Sequence, residues 1–195
     1  MQRGTSLYVV RHGETDWNLA ERLQGQTDIP LNARGRAQAA RNGRVLADLL
    51  SDAAVVDFVA SPLCRARETM EIVRRALRMP FDGYRLDDRL KEVHFGNWEG
   101  RLWDDLLHLD EAGVAAREAE PFGWCAMGGE SYSDLAERVG AWLAEVERDT
   151  VVATHGGVSR VLRGHLLGLD WRSVPRLKVP QDKFLVLRHG EQRWV

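Results

Sequence analysis

The chain is short of lysine. Of its 27 basic residues only Lys91, Lys178 and Lys183 are not arginine. Arginine grips planar anions bidentately and lysine does not, but genomic base composition produces the same bias, so the bias alone assigns no function. Cysteine is scarce too. Cys64 and Cys125 form no zinc pattern and no Cys-x-x-Cys pair, which leaves free thiols in a reducing compartment as the expectation. No apolar run reaches the length of a membrane span. Met1-Gln2-Arg3-Gly4-Thr5-Ser6 is not followed by a signal-type apolar stretch, so a cytoplasmic protein is expected. Nor is there an excess of positive charge: a net charge of -2 excludes bulk attraction to nucleic acid or anionic membrane. No linker, repeat or low-complexity tract divides the 195 residues, so one domain over 1–195 is expected.

What is present is an alternation of strand and helix patterns. Leu7-Tyr8-Val9-Val10 reads as a buried strand that stops at Arg11-His12-Gly13. Glu14 to Asn18 looks like a first helical turn with acidic residues at its start. Asn32 can cap a helix from Ala33 to Leu50 with Val45, Leu46, Leu49 and Leu50 on one face. A second strand over 55–60 ends at Ser61-Pro62, and a helix follows over 64–77. Residues 80–88 read as extended chain or loop, 103–109 as helix, and 121–129 as irregular. Ser131 or Ser133 can cap a helix to about Arg148. Thr150 to Thr154 is a strand ended by His155-Gly156-Gly157, and a helix runs on to Leu167. Residues 184–187 and 192–195 read as a hairpin around Gly190. The alternation argues for an α/β three-layer sandwich: a mainly parallel central sheet with helices on both faces. Three strands end in residues suited to anions. Ligands of open α/β sheets bind at the carboxyl ends of strands, so one pocket built from three distant segments is expected.

A phosphate monoester is a dianion, and its transfer needs charge neutralisation, an in-line nucleophile and an acid for the leaving oxygen. Arg11 and Arg65 can grip phosphate oxygens bidentately. The backbone N–H groups of Gly13 and Gly156, near helix starts, can add anion-binding dipoles. A neutral imidazole at His12 can attack phosphorus if a backbone acceptor holds its other nitrogen. His155 can donate a hydrogen bond to the transferring group. Glu92 is the candidate acid, and its first task requires a proton and hence burial. Each piece alone is weak: a single histidine after a strand is more often structural, and Glu92 alone would be an ordinary surface carboxylate. Their combination is what points to phosphoryl transfer.

These residues resemble the histidine phosphatase superfamily, which includes cofactor-dependent phosphoglycerate mutases. Arg11-His12-Gly13-Glu14-Thr15 with Trp17-Asn18 is similar to the family's nucleophile motif. Arg22-Leu23-Gln24-Gly25 with Asp28-Ile29-Pro30-Leu31 and Gly35 resembles its substrate loop, and Ser61 to Thr69 its second arginine motif. Gly129-Glu130-Ser131 and Thr154-His155-Gly156-Gly157 resemble its later motifs. The resemblance implies a phosphoglycerate mutase-like fold, a phosphohistidine on His12, a pocket of Arg11, Arg65 and His155, and Glu92 as proton donor. It further implies phosphate contacts from Asn18 and from Gln24-Gly25. No metal or other cofactor is implied. Two arginines at the same site argue electrostatically against a metal held by His12, His94 and His155. The implied partner is a small-molecule phosphate ester. Family members are often homodimers, although no seam in this sequence demands one.

Arg188-His189-Gly190-Glu191 repeats the first four residues of the nucleophile motif. It reads as a hairpin turn, because nothing after Glu191 can form a helix start or a phosphate loop. The phosphoryl acceptor is a separate question. Glu92-Val93-His94-Phe95-Gly96 resembles the mutase spacing, whereas Asn97-Trp98-Glu99-Gly100 resembles the phosphatase branch. The segment from Gly100 to Gly129 has no room for the usual mutase insertion. A phosphatase is therefore expected, with mutase-type transfer as the alternative. A non-catalytic binding protein on the same fold would be favoured by the loss of Arg11, His12, Arg65, Glu92 or His155, and all five are present. Trp17, Trp103, Phe122 and Trp124 could line the pocket mouth, although core positions suit them better. Arg101 or Arg117 could hold a second anionic group, although helix-surface charge is the simpler role for both.

Overall fold

The computed structural model describes all residues except Arg3, Ser51 and His189. In chain order the strands are β1 (Leu7–Arg11), β2 (Asp57–Ala60), β3 (Arg85–Leu86), β4 (Thr150–Thr154), β5 (Leu185–Arg188) and β6 (Glu191–Trp194), in one sheet ordered β3-β2-β4-β1-β5-β6. β1 to β4 are mutually parallel, while β5 runs antiparallel to β1 and β6 antiparallel to β5. The helices are α1 (Asp16–Leu19), α2 (Ala33–Leu49), α3 (Cys64–Ala76), α4 (Trp103–Leu109), α5 (Glu111–Ala119), α6 (Tyr132–Ala144) and α7 (Gly156–Leu167).

The sheet is covered on both faces, as its sequence requires. β4 is a β-branched run buried at every position, the pattern of a strand with apolar layers on either side. Along β1 the pleat sends Leu7 and Val9 to one face and Tyr8 and Val10 to the other. Leu7 and Val9 join Leu135 and Val139 of α6 with Val158 and Leu162 of α7. Tyr8 and Val10 join Leu46 of α2 with Met70 and Val73 of α3. A third, smaller core of Trp98, Leu106, Val114 and Ala126 underlies α4 and α5. Among the described residues, no helix is long and apolar enough to cross a membrane.

The elements differ from expectation at a few places. Val55 lies in a 3-10 turn (Ala53–Val55) capped by Asp52, and the strand begins at Asp57. β3 and α5 were not foreseen. β3 is a two-residue edge strand, too short for any periodicity to show. α5 begins where Asp110 accepts from the Gly113 N–H. α6 ends at Ala144, short of Arg148. On α2 the buried face is Gly35, Ala39, Asn42, Gly43 and Leu46, whereas Leu49 is exposed. Small residues win there because α3 comes close: a Cβ on Gly43 would lie 2.7 Å from the Ala76 Cβ. The terminal hairpin forms, with Gly190 at φ +78°. His189, the histidine of the repeated motif, lies outside the described residues.

Candidate active site

The register of the two central strands builds the site. β1 and β4 pair from Leu7–Thr150 to Arg11–Thr154, so they end side by side. The His12 N–H still donates to the Thr154 carbonyl at 2.8 Å, and His12 and His155 leave the sheet together with ring centroids 5.2 Å apart. Both rings are buried. His12 Nδ1 lies 2.8 Å from the Gly13 carbonyl oxygen. A carbonyl only accepts, so Nδ1 carries the ring proton and Nε2 keeps its lone pair. Burial, then the charges of Arg65 and Arg11, hold the His12 pKa well below the usual histidine value, outweighing the Gly13 bond. Burial, then Arg65, does the same to His155. Both imidazoles are therefore neutral at pH 7.

Arg11 donates to the Val179 carbonyl at 2.6 Å. Burial pulls its pKa down to about 10, against the opposing charge of Glu92, so it stays cationic. Arg65, in the first turn of α3, is wholly buried. Its two terminal nitrogens donate to the Thr27 and Gly25 carbonyls at 2.8 and 2.7 Å. That loop is itself fastened by Glu99. One Glu99 oxygen accepts from the Gln26 and Phe95 N–H groups, and the other from the Thr27 N–H and hydroxyl. Gly25 sits at φ +54°, and a Cβ there would lie 1.9 Å from the Glu99 Oε1. Next to Arg65, burial and then Asp28 push the Cys64 thiol up to about 11, which leaves it protonated at neutral pH.

Four buried side-chain polar atoms lack a hydrogen-bond partner among the described residues: Arg11 Nε, Gln24 Oε1, Arg65 Nε and His155 Nδ1. All four belong to residues expected to hold phosphate. An unpartnered buried polar group costs about 1–3 kcal/mol. The Arg11, Arg65 and His155 nitrogens are donors that an oxyanion could satisfy, whereas the Gln24 oxygen only accepts.

A cavity of about 150 Å³ lies above them, lined among others by Arg11, His12, Asn18, Gln24, Gly25, Arg65, Glu92 and Gly156. His155 lies beneath, with Nε2 2.7 Å from the Ser61 hydroxyl. Asn18 Oδ1 accepts from the Thr15 N–H in a capping box on α1 and from Gln181. Glu92 is only partly buried, less than its proposed task led us to expect. Its Oε1 accepts from the N–H groups of Val93 and Gly157 at 2.9 Å, the latter in the first turn of α7. A Cβ on Gly157 would lie 2.4 Å from that oxygen, so a larger residue there would displace the Glu92 carboxylate. Gly13 differs from expectation: its N–H donates to the Thr69 hydroxyl instead of facing the cavity.

Four contributors escaped the sequence. Arg22 and Arg160 line the cavity, Gln181 donates to the His12 carbonyl, and Glu99 fastens the loop. Arg22 stood inside the quoted loop motif, and Arg160 lies one helical turn beyond Gly156 on the same helix. Those positions were the available signals. Gln181 is separated from the motifs by irregular chain and had none. The aromatics take the core positions that suited them better: Trp103 and Trp124 pack on the third core and Phe122 on the first, and the cavity is lined by Leu23 and Phe95 and not by Trp17, Trp103, Phe122 or Trp124. Trp98 packs against Trp103 and Trp124. Arg117 stacks on Trp103, and Arg101 is exposed. His94 Nδ1 accepts from the Gly96 N–H and so caps its own turn.

Residues 7–195 match the histidine phosphatase superfamily, branch 1. The chain is 32% identical to a probable phosphoglycerate mutase GpmB of Serratia proteamaculans, over 97% of this chain and 87% of that protein. It is also 32% identical to a glucosyl-3-phosphoglycerate phosphatase of Mycobacterium tuberculosis, over 90% of this chain and 81% of that one. The solved structure of a mycobacterial glucosyl-3-phosphoglycerate phosphatase with VO3 superposes with a TM-score of 0.82 at 29% identity, covering 98% of each chain. The chain belongs to the histidine phosphatase superfamily, in its first branch.

Proposed function

We propose that this chain is a phosphatase that hydrolyses small phosphate monoesters through a phosphohistidine on His12, without a metal. The observation that carries this reading is the set of unpartnered buried nitrogens on Arg11, Arg65 and His155 near a histidine whose Nε2 lone pair is free. In the first step Nε2 attacks phosphorus, the P–O ester bond breaks, and Glu92 gives its proton to the departing alkoxide. In the second, Glu92 takes a proton from water, the resulting hydroxide attacks phosphorus, and the P–N bond breaks. Inorganic phosphate and neutral His12 result. The arginines neutralise charge throughout, and His155 donates to the transferring group. Asn18, Gln24, Gly25 and Gly156 would hold phosphate oxygens.

An aryl phosphate should be hydrolysed in the presence of chelator, and complete loss of activity under chelation would sink the mechanism. Glu92→Gln should slow esters of poor leaving groups by about 10²-fold or more and aryl esters far less. Equal slowing of both would remove Glu92 as the acid. A second reading is favoured by the relative named as a probable phosphoglycerate mutase: transfer to a second ester in place of water. Assays of 3-phosphoglycerate with and without 2,3-bisphosphoglycerate separate the two, since hydrolysis releases phosphate and mutase action isomerises the substrate without release.

A further inference from the structure

Between the Val174–Arg176 turn and β5 runs a stretch of irregular chain that touches the site at several points. The Leu177 carbonyl accepts from Arg160 Nε at 2.7 Å, and the Val179 carbonyl accepts from Arg11 at 2.6 Å. Val179 is buried, and the Pro180 ring fixes its own φ. The backbone leading to Gln181 is therefore held before any ligand arrives. Gln181 Nε2 then donates to the His12 carbonyl at 3.3 Å and to Asn18 Oδ1 at 3.0 Å. One side-chain amide thus bridges the backbone of the proposed nucleophile and a side chain that lines the cavity.

The direction of these bonds fixes which end of the Asn18 amide is left for a ligand. A backbone carbonyl only accepts, so the Gln181 atom against His12 is the NH2 group. The Asn18 atom beside that same NH2 must accept in turn, which makes it the oxygen. The Thr15 N–H, which only donates, reaches the same oxygen at 3.2 Å, as does the Thr15 hydroxyl. Two independent groups of fixed polarity therefore agree. Asn18 Oδ1 is committed to protein donors, and Nδ2 has no partner among the described residues. Asn18 also needs a brace. It sits in α1, a helix of 4 residues with none buried, which has little packing of its own to hold it. Without Gln181 the amide oxygen would keep only the partners within its own turn.

We propose that Gln181 is a positioning residue: anchored on the His12 carbonyl, it pins the Asn18 amide so that the nitrogen faces the phosphoryl group. This rests on the reading of the cavity as a phosphate-ester site with Asn18 among its ligands. Gln181 itself touches no reacting atom and acts through Asn18.

Calorimetry with inorganic phosphate tests this without turnover. Gln181→Met, of similar length but with no donor, should weaken binding about tenfold, the size of one lost hydrogen bond to a charged group. Asn18→Ala should weaken it by as much or more. In the Asn18→Ala background Gln181→Met should then cost nothing further, because the amide it acts through is gone. A residue that merely packs would give independent losses. Unchanged affinity in Gln181→Met, or the same added loss with and without Asn18, would overturn the proposal. If Gln181→Met does not fold, Gln181→Glu decides by the same cycle, being close in shape but unable to donate when ionised. Should phosphate bind with this coupling while no aryl phosphate is hydrolysed, the hydrolysis reading falls and the Gln181 assignment stands. Hydrolysis with an unaltered affinity in Gln181→Met gives the reverse, and a protein that binds no phosphate at all sinks both.

Discussion

The chain carries the tetrapeptide Arg-His-Gly-Glu twice, at 11–14 and at 188–191, and the two copies have different surroundings. Arg11 ends β1, an inner strand flanked by β4 and β5, whereas Arg188 ends β5 at a hairpin, is exposed, and donates to the Ser6 hydroxyl. Gly13 is wedged against α2: a Cβ there would lie 2.1 Å from the Gly35 carbonyl oxygen. At Gly190 a Cβ would meet nothing within 4 Å. Glu14 is buried and accepts from Asn32, while Glu191 is exposed. The first copy thus gains buried partners because a parallel neighbour strand ends beside it and helices cover the turn. The tetrapeptide supplies functional groups, and its place in the sheet supplies burial, partners and charge.

That contrast can be broken most directly at the histidines. His12→Ala should abolish the acid-labile phosphoenzyme and lower kcat/KM by about 10³-fold or more, while His189→Ala should leave both intact. Phosphoenzyme trapping with acid and base quenches reads this, and the reverse pattern would assign the site to the second copy. The glycines come next. Gly13→Ala should cost about 3 kcal/mol or more through overlap with backbone that has no room to shift. Gly190→Ala should cost only about 1 kcal/mol, from its positive φ alone. Denaturant melts of the two variants give these numbers, and similar losses at both would erase the packing difference.

The smallest effect expected is on acid stability. His12 and His155 have folded pKa values far below 6.5, so below that pH the unfolded chain binds protons that the folded chain refuses. Their contribution is intact above pH 6.5 and is lost as pH falls through that value, at about 1.4 kcal/mol per pH unit for each histidine. His155→Asn should therefore flatten the acid limb of a stability–pH curve by one such slope. An unaltered limb would mean that His155 is not held neutral.

Much of this was legible in the residues. Continuous apolar runs at 7–10 and 150–154 announce buried parallel strands, because only a strand covered on both faces can be apolar at every position. The failures have particular causes. β3 is too short to show a period, and α5 is mostly exposed, with Val114 its only buried residue. On α2, Leu46, Val45 and Leu50 do pack on the core, but Leu49 is exposed and the closest approach to α3 falls on Gly43. The expected burial of Glu92 was only half met, since that carboxylate lies at the cavity edge.

By itself, the sequence determined the chemistry: which strands end in anion-binding groups, and that Arg11, His12, Arg65, Glu92 and His155 suit phosphoryl transfer. Those are properties of side chains and of local order along the chain. Tertiary structure alone decided that Arg160 shares the cavity, that Glu99 fastens the loop holding Arg65, and that Gln181 reaches His12. The bonds that do this join residues between 38 and 169 positions apart. Their meaning comes from what lies across the fold, where burial strengthens charge and deprives it of water, and no local pattern records that.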